Sequence, residues 1–136
     1  MTDLLFVYGT LRAGCWNDIA RIAPSARYVA HARLRGRLYD LGTYPALLPD
    51  AAAGWVTGEL YAVPADAWAP LDALEEPVTD TRPDGEYFKR IEAVELLDGG
   101  SRQAWTYAAN PAVLTLDRWI SEGDWIAYAQ GAGKRA

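Results

Sequence analysis

The sequence predicts an α+β protein built on a small β-barrel of mixed or antiparallel strands, with short helices at its flanks. Runs of apolar, β-branched and aromatic residues with strand periodicity outnumber helical patterns along the chain. The connections between these runs are short, and the regular strand–helix alternation of a doubly wound sheet is missing. The chain has 136 residues, of which 51% are hydrophobic, so residues 1–136 are expected to form one domain.

The first predicted elements are a strand and a helix joined by a tight turn. Leu4–Tyr8 is an apolar and aromatic run, typical of a central strand. It passes directly into Gly9, and a glycine at that point lets the backbone turn sharply. The following segment, WNDIARIA, spaces its apolar residues along one helical face and predicts a helix over residues 16–23, which Pro24 ends.

The next part of the chain predicts three strands. Arg27–Arg33 and Leu34–Leu41 form the first two, and the second leads into DLGTYPALLP. One glycine and two prolines in that stretch predict an irregular, rigid segment. The alternating pattern of GWVTGELYAV then predicts a strand over Gly54–Val63.

The C-terminal half predicts one helix and a β-hairpin. A proline opens the helix over residues 65–76, and a polar loop, VTDTRPDG, follows it. Tyr87–Leu97 and Gln103–Ala108 are expected to pair around the turn residues DGG. The tail from residue 114 to residue 128 predicts a short helix or turn and a last edge strand.

Composition excludes several classes of function. The net charge is −5, which does not favour nucleic acid or a membrane surface as a partner. Cys15 and His31 are the only residues of their types, so a disulfide, a zinc site and a standard nucleophile–histidine pair are not expected. His31 lies in a strand-like run and is expected to be structural. Proton transfer must therefore use carboxylates or tyrosines, and the absence of a signal sequence predicts a cytoplasmic protein.

The turn after the first strand is a candidate anion site. Backbone N–H groups of Gly9, Thr10 and Leu11 can converge on a carboxylate or on a developing oxyanion. The same residues are equally compatible with a tight strand exit that binds nothing. Arg12 either pairs with an anion or lies solvated on the surface. A nucleotide loop is not expected, because the glycines and the lysine of the known phosphate motifs are missing.

The second candidate is a carboxylate on the predicted helix. At about 100° per residue, Glu75 lies ~20° from Trp68, on the apolar face, whereas Glu76 lies ~80° away and points to water. Asp72 is intermediate between them. A buried carboxylate is costly unless it is hydrogen-bonded, paired or used. Glu75 is thus either a structural residue bonded to a tyrosine or arginine, or a general base with a pKa raised by burial.

An ordered set of segments resembles the γ-glutamylcyclotransferase-like family over nearly the whole chain. VYGTLR, at residues 7–12, is similar to the family's opening, and GRLYDLGTYPALLP and GWVTGELYAV are similar to its second and third blocks. LDALEE, EYFKR and EGDW follow in the family's order. Three features depart from the pattern: Glu76 replaces a glycine, residues 77–85 form a distinct loop, and Asp18 stands where many relatives have histidine.

The resemblance implies a fold, a reaction and a set of site residues. The fold would be a small β-barrel with flanking helices, in which a loop binds the glutamyl group and Glu75 is the acid/base residue. The α-amine of a γ-glutamyl amine, amide or dipeptide would attack its own γ-carbonyl and release 5-oxoproline, with no metal or cofactor. The loop residues expected to bind the substrate are Tyr8, Gly9, Thr10 and Leu11. Apart from the resemblance, Tyr44, Tyr87 and Tyr107 are expected, with Tyr8, to line the pocket or to donate hydrogen bonds in it.

Three alternatives stay open at the level of sequence. Each tyrosine taken singly also fits core packing, and Thr10 also fits a turn cap. A non-catalytic module that binds a small acidic metabolite would use the same pocket, and an unrelated barrel-type interaction domain would use none. The chain is expected to be a monomer or a weak homodimer.

Overall fold

A computed structural model describes residues 2–136 of the chain. It contains seven strands, three α-helices and a 3-10 turn at Ala65–Ala67. The strands are β1 (Thr2–Val7), β2 (Arg27–Asp40), β3 (Pro45–Pro49), β4 (Trp55–Pro64), β5 (Tyr87–Leu96), β6 (Ser101–Ala109) and β7 (Trp119–Ile120). The helices are α1 (Ile19–Ile22), α2 (Trp68–Glu75) and α3 (Trp125–Gly131).

Five strands close into a barrel, which confirms the predicted fold class. β4 pairs antiparallel with both β1 and β2, and β2 continues to β5 through the pairs Ala32–Leu96 and Arg33–Glu95. β5 and β6 form the predicted hairpin, and β6 returns to β1 through a parallel bridge between Leu5 and Trp105. This ring leaves none of its five strands with a wholly unpaired edge.

The structure corrects two predictions in the region between residues 27 and 49. The two strands expected there are one strand, β2, which is 14 residues long and changes register between Tyr28 and Ala30. The segment expected to be irregular contains β3, which pairs antiparallel with β2 and bridges to β6 at Leu47–Ala108. Its two prolines stand at the strand's ends, where a missing backbone donor disrupts pairing least.

The helices are shorter than the sequence predicts. The helix expected over residues 16–23 is reduced to α1, because residues 9–18 form successive turns closed by bonds such as Arg12 N to Gly9 O and Cys15 N to Arg12 O. The helix expected over residues 65–76 begins as the 3-10 turn and continues as α2. It ends at Glu75, and the next residue, Glu76, adopts a left-handed conformation with φ 49°.

The core lies on both faces of the sheet. Alternate residues of β1 enter different clusters: Phe6 packs with Leu60 and Trp125, whereas Leu5 and Val7 pack in a cluster that includes the buried face of α2. β1 is therefore buried on both sides, as its continuous apolar run predicts. Its end delivers the following loop to the same region as the end of α2. No helix within residues 2–136 is long and apolar enough to cross a membrane.

Candidate active site

A cavity of about 210 Å³ lies between the loop after β1 and the end of α2. Its wall contains every residue that the sequence analysis selected as a candidate for catalysis or binding. These residues are Tyr8, Gly9, Thr10, Leu11, Tyr44, Glu75, Tyr87 and Tyr107. His31 is exposed and does not line this cavity, in keeping with a structural residue.

The loop after β1 presents unpaired backbone donors to the cavity. A turn closes from Arg12 N to Gly9 O, and within residues 2–136 no acceptor takes a hydrogen bond from the N–H groups of Gly9, Thr10 or Leu11. These three residues are buried. Buried backbone donors are normally paired, so this cluster is suited to receive an anionic or strongly polar oxygen from a ligand.

Gly9 is required for a reason different from the one predicted. Its φ is not positive, so the turn does not depend on a left-handed glycine. A Cβ at this position would instead lie 2.7 Å from Cγ and 2.8 Å from Cδ of Pro45. The loop packs directly on the start of β3, and only glycine permits that approach.

The prediction for Arg12 is wrong in both of its alternatives. Arg12 does not line the cavity as a ligand for an anion, and it does not lie solvated on the surface. Its side chain is buried, and its Nε donates to Glu59 Oε2 at 2.6 Å while its Nη1 donates to Asp124 Oδ1 at 2.9 Å. Glu59 also accepts a hydrogen bond from the backbone of Ala13 at 2.9 Å. This buried network fixes the loop to β4 and to the N-terminus of α3.

Glu75 is the last residue of α2, one turn after the fully buried Leu71. Its side chain is half-buried in the cavity wall, and among residues 2–136 no group donates a hydrogen bond to its carboxylate. Burial raises the pKa of Glu75 from 4.5 to about 7, and the negative charge of Glu86 is the second cause of this shift. The carboxyl is thus poised to exchange a proton near neutral pH.

Two other acids lie near the end of α2, and unlike Glu75 each of them has a partner. Glu76 is exposed and pairs with Arg82 at 2.9 Å. Asp72 is half-buried, and it accepts hydrogen bonds from Tyr107 at 2.7 Å and from Lys89 at 3.3 Å. Glu75 is the one of these three acids that has no partner among the described residues 2–136.

Four tyrosines form the polar walls of the cavity, and each hydroxyl donates its proton within the protein. Tyr8 donates to the carbonyl of Tyr107 at 2.6 Å, and Tyr87 donates to the carbonyl of Pro45 at 3.1 Å. The hydroxyl of Tyr44 donates to the Glu86 carboxylate at 2.9 Å. The pKa of each of the four hydroxyls is raised, and burial is the largest cause in every case. The pKa of Tyr44 is raised to about 12. These phenols are therefore suited to shape the cavity, and they stay protonated.

Several cavity residues were not selected from the sequence. Glu86 precedes β5, and its role became visible only through its contact with Tyr44, 42 residues earlier in the chain. Trp16 and Asn17 also line the cavity, and Asn17 donates to the hydroxyl of Thr10 at 3.2 Å. Strand or helix periodicity contains no signal for these loop residues. No group of three or more potential metal ligands is present within residues 2–136.

Fold and cavity together define a small closed-barrel protein whose cavity contains one carboxyl, that of Glu75, with no partner among residues 2–136. Residues 5–127 match the family model described as γ-glutamyl cyclotransferase, AIG2-like. The chain therefore belongs to this family, and the predicted family and enzyme class are confirmed.

Relatives and solved structures agree with this membership. A Vibrio cholerae protein that bears a γ-glutamylcyclotransferase name is 34% identical over 92% of this chain and 96% of its own length. The γ-L-glutamyl-butirosin B γ-glutamyl cyclotransferase of Niallia circulans is 38% identical over 78% of this chain and 66% of its own. Among solved structures, YkqA of Bacillus subtilis superimposes with a TM-score of 0.76 at 27% identity, covering 98% of this chain and 43% of that protein. A mouse AIG2-like protein shares the fold at a TM-score of 0.74 and 22% identity, over 99% and 95% of the two chains.

Proposed function

We propose that this protein releases 5-oxoproline from a small γ-glutamyl amine, amide or dipeptide, with Glu75 as the acid/base residue. The observation that carries the proposal is a half-buried carboxyl in the same cavity as three backbone N–H groups, none of which has a partner among residues 2–136. The cyclotransferase name of the Niallia circulans relative supports the same class of reaction.

The proposed reaction is intramolecular, so the substrate supplies its own nucleophile. The nitrogen of the α-amine forms a bond to the γ-carbonyl carbon, and the bond from that carbon to the leaving nitrogen then breaks. The cavity must hold the amine against the carbonyl, and orientation of this kind is worth about 7–11 kcal/mol. Such a step needs no nucleophilic side chain from the protein. This suits a chain that contains only one histidine and one cysteine.

Glu75 takes a proton from the substrate ammonium and returns it to the leaving amine. The second proton that the attacking nitrogen loses when the lactam forms also passes to that amine, which departs as an ammonium. An α-amine has a pKa of about 8, so transfer to an ordinary glutamate would be uphill by ~5 kcal/mol. Because the pKa of Glu75 is raised to about 7, the same transfer is uphill by only ~1.4 kcal/mol. The N–H groups of residues 9–11 donate hydrogen bonds to the substrate α-carboxylate or to the tetrahedral oxyanion. Because these donors are already oriented, they stabilise the negative charge without rearrangement.

The test measures 5-oxoproline release from a panel of γ-glutamyl compounds by the wild-type protein, by Glu75→Gln and by Glu122→Gln. Glu122 is exposed and lies outside the cavity wall, so Glu122→Gln controls for the loss of one carboxylate. We expect turnover by the wild type and the control but not by Glu75→Gln. Full activity of Glu75→Gln would remove this residue from the mechanism, and binding without turnover by the wild type would favour a non-catalytic module. The cytoplasmic location and the monomer or weak homodimer stay predictions.

A further inference from the structure

A buried carboxylate, that of Asp40, lies at the end of β2 and outside the cavity wall. Two cations contact it, each at 3.0 Å: Arg118 Nη2 and Lys134 Nζ. The hydroxyl of Tyr128 and the backbone N–H of Gly42 both donate to it at 2.6 Å. A buried carboxylate needs such donors. Asp40 therefore ties the loop that follows β2 to α3 and to the segments around residues 118 and 134.

The loop after β2, residues 41–44, supplies part of the cavity wall through Tyr44. Its backbone has φ 113° at Gly42, a conformation that glycine adopts readily. Lys134 holds this loop, which we call the Tyr44 loop, at two points. Its ammonium contacts the Asp40 carboxylate, and it also donates to the carbonyl of Gly42 at 2.7 Å. The position of Tyr44 thus depends on a side chain that does not line the cavity.

A second residue of the cavity wall, Trp16, contacts the same two segments. Its indole Nε1 donates to the carbonyl of Thr43, in the Tyr44 loop, at 3.3 Å. Its backbone N–H donates to the carbonyl of Ala136 at 3.0 Å, and the guanidinium of Arg135 lies 5.2 Å from its ring centroid. Residues 134–136, which we call the clamp segment, therefore contact both Trp16 and the Tyr44 loop.

The direction of the clamp segment follows from the way α3 ends. Gly133 has φ 68°, and its N–H donates to the carbonyl of Gln130 at 3.3 Å. The N–H of Lys134 donates to the carbonyl of Ala129 at 2.7 Å, which completes a Schellman motif. This motif reverses the backbone at the helix end, so the clamp segment can lie across the Tyr44 loop. Because Trp125 and Ala129 are buried, the segment starts from a fixed point.

We propose that Lys134 is a positioning residue, which acts through Asp40 and the carbonyl of Gly42 to hold one wall of the active site in place. That wall consists of Trp16 and Tyr44. The inference rests on the proposed function, since it gives these two side chains the task of packing against the γ-glutamyl substrate.

The groups proposed to act on the substrate's reacting atoms have other supports. Glu75 ends α2, and the loop of residues 9–11 is anchored through Arg12 to β4 and to the start of α3. Neither support includes Lys134. Loss of Lys134 should therefore weaken substrate binding and leave proton transfer by Glu75 unchanged.

The experiment measures KM and kcat for 5-oxoproline release by the wild type, Lys134→Met, Lys134→Arg and Arg118→Met. The substrate is the best compound of a panel that includes γ-glutamylalanine and γ-glutamylbutylamide. Measurement near pH 8, above the Glu75 pKa of about 7, keeps that carboxyl mostly ionised. We expect Lys134→Met to raise KM about tenfold, the effect of about one lost charge-assisted hydrogen bond, with kcat within about twofold of the wild type. Arginine keeps the charge and the donors, so Lys134→Arg should restore most of the affinity.

Arg118→Met is the matched control. Arg118 contacts the same carboxylate at the same distance as Lys134, but no hydrogen bond within residues 2–136 joins its side chain to the Tyr44 loop. Either substitution leaves Asp40 with one cation and two other donors, so both variants should fold. Only Lys134→Met should raise KM.

Backbone hydrogen exchange gives a readout that does not depend on turnover. The N–H groups of Leu41 and Gly42 are hydrogen-bonded within the protein. Both should exchange at least about tenfold faster in Lys134→Met, because the Tyr44 loop loses its second attachment, and at the wild-type rate in Arg118→Met.

The outcomes separate this inference from the proposed function. An unchanged KM in Lys134→Met, an equal rise in Arg118→Met, or no recovery in Lys134→Arg overturns the inference and leaves the cyclotransferase proposal standing. A fall in kcat at constant KM also overturns it, because Lys134 would then act on the chemical step. Absence of 5-oxoproline from every compound with the wild type overturns both.

Discussion

The substitution Glu75→Gln should remove activity and, in the same molecule, add stability above neutral pH. Glutamine keeps the size of the side chain but cannot exchange a proton. Because general acid–base catalysis contributes about 10²–10⁴-fold, kcat/KM for 5-oxoproline release should fall by that factor. In the wild type, kcat/KM should fall as the pH drops below about 7, since a protonated Glu75 cannot accept the substrate's proton.

The gain in stability follows from the raised pKa of Glu75. A carboxyl whose pKa is higher in the folded than in the unfolded chain destabilises the fold increasingly as the pH rises from the unfolded pKa to the folded pKa. The difference between about 7 and the ordinary 4.5 corresponds to about 3 kcal/mol, at ~1.4 kcal/mol per pKa unit. This penalty is absent near pH 4, where the carboxyl is largely protonated in both states, and it is fully developed near pH 8.

The assay is denaturant unfolding of the wild type, Glu75→Gln and Glu122→Gln at pH 4 and at pH 8. We expect the free energies of unfolding of the wild type and Glu75→Gln to agree within about 0.5 kcal/mol at pH 4, and Glu75→Gln to be more stable by about 3 kcal/mol at pH 8. The Glu122→Gln control should match the wild type at both pH values. An equal difference at the two pH values would refute the reasoning, because Glu75 would then not be desolvated.

Three further substitutions test the elements that build the site. Gly9→Ala places a methyl group 2.7 Å from Cγ of Pro45, so it should lower the free energy of unfolding by about 1–3 kcal/mol and reduce turnover. A variant with wild-type kcat/KM would show that the loop tolerates displacement. Arg12→Ala leaves the buried Glu59 without its cation and should cost about 3–5 kcal/mol in thermal or denaturant unfolding; a loss below 1 kcal/mol would contradict a buried ion pair. Glu76→Gly relieves a left-handed conformation and should raise the free energy of unfolding by about 1 kcal/mol, which a lowered melting temperature would disprove.

The catalytic candidate could be located from local periodicity, whereas Arg12 could not be interpreted that way. Helical spacing depends on residues within one or two turns, so Glu75 is assigned to the apolar face from Trp68 and Leu71 alone. The partners of Arg12 lie 47 and 112 residues further along the chain. No local pattern reports contacts of that separation, and a basic residue beside a turn looks the same whether it is solvated or buried.

The strand β3 shows the same limit within the fold. Glycine and proline content indicates how constrained a backbone segment is, and here it indicates a constrained stretch around Pro45 and Pro49. Whether a constrained, extended stretch becomes a strand depends on neighbours that offer hydrogen bonds. Here β2 and β6 supply them from both sides.

The barrel class, the family, the loop after β1 and the acid at residue 75 can be predicted from composition, from spacing or from an ordered set of short segments. Other properties emerge only from packing: within residues 2–136 the N–H groups of residues 9–11 are unpaired and Glu75 has no partner, and Glu86 lies close enough to raise the pKa of Glu75. Desolvation and charge–charge interaction depend on distances in space. Those distances are fixed only when β1, α2 and the start of β5 pack around one cavity.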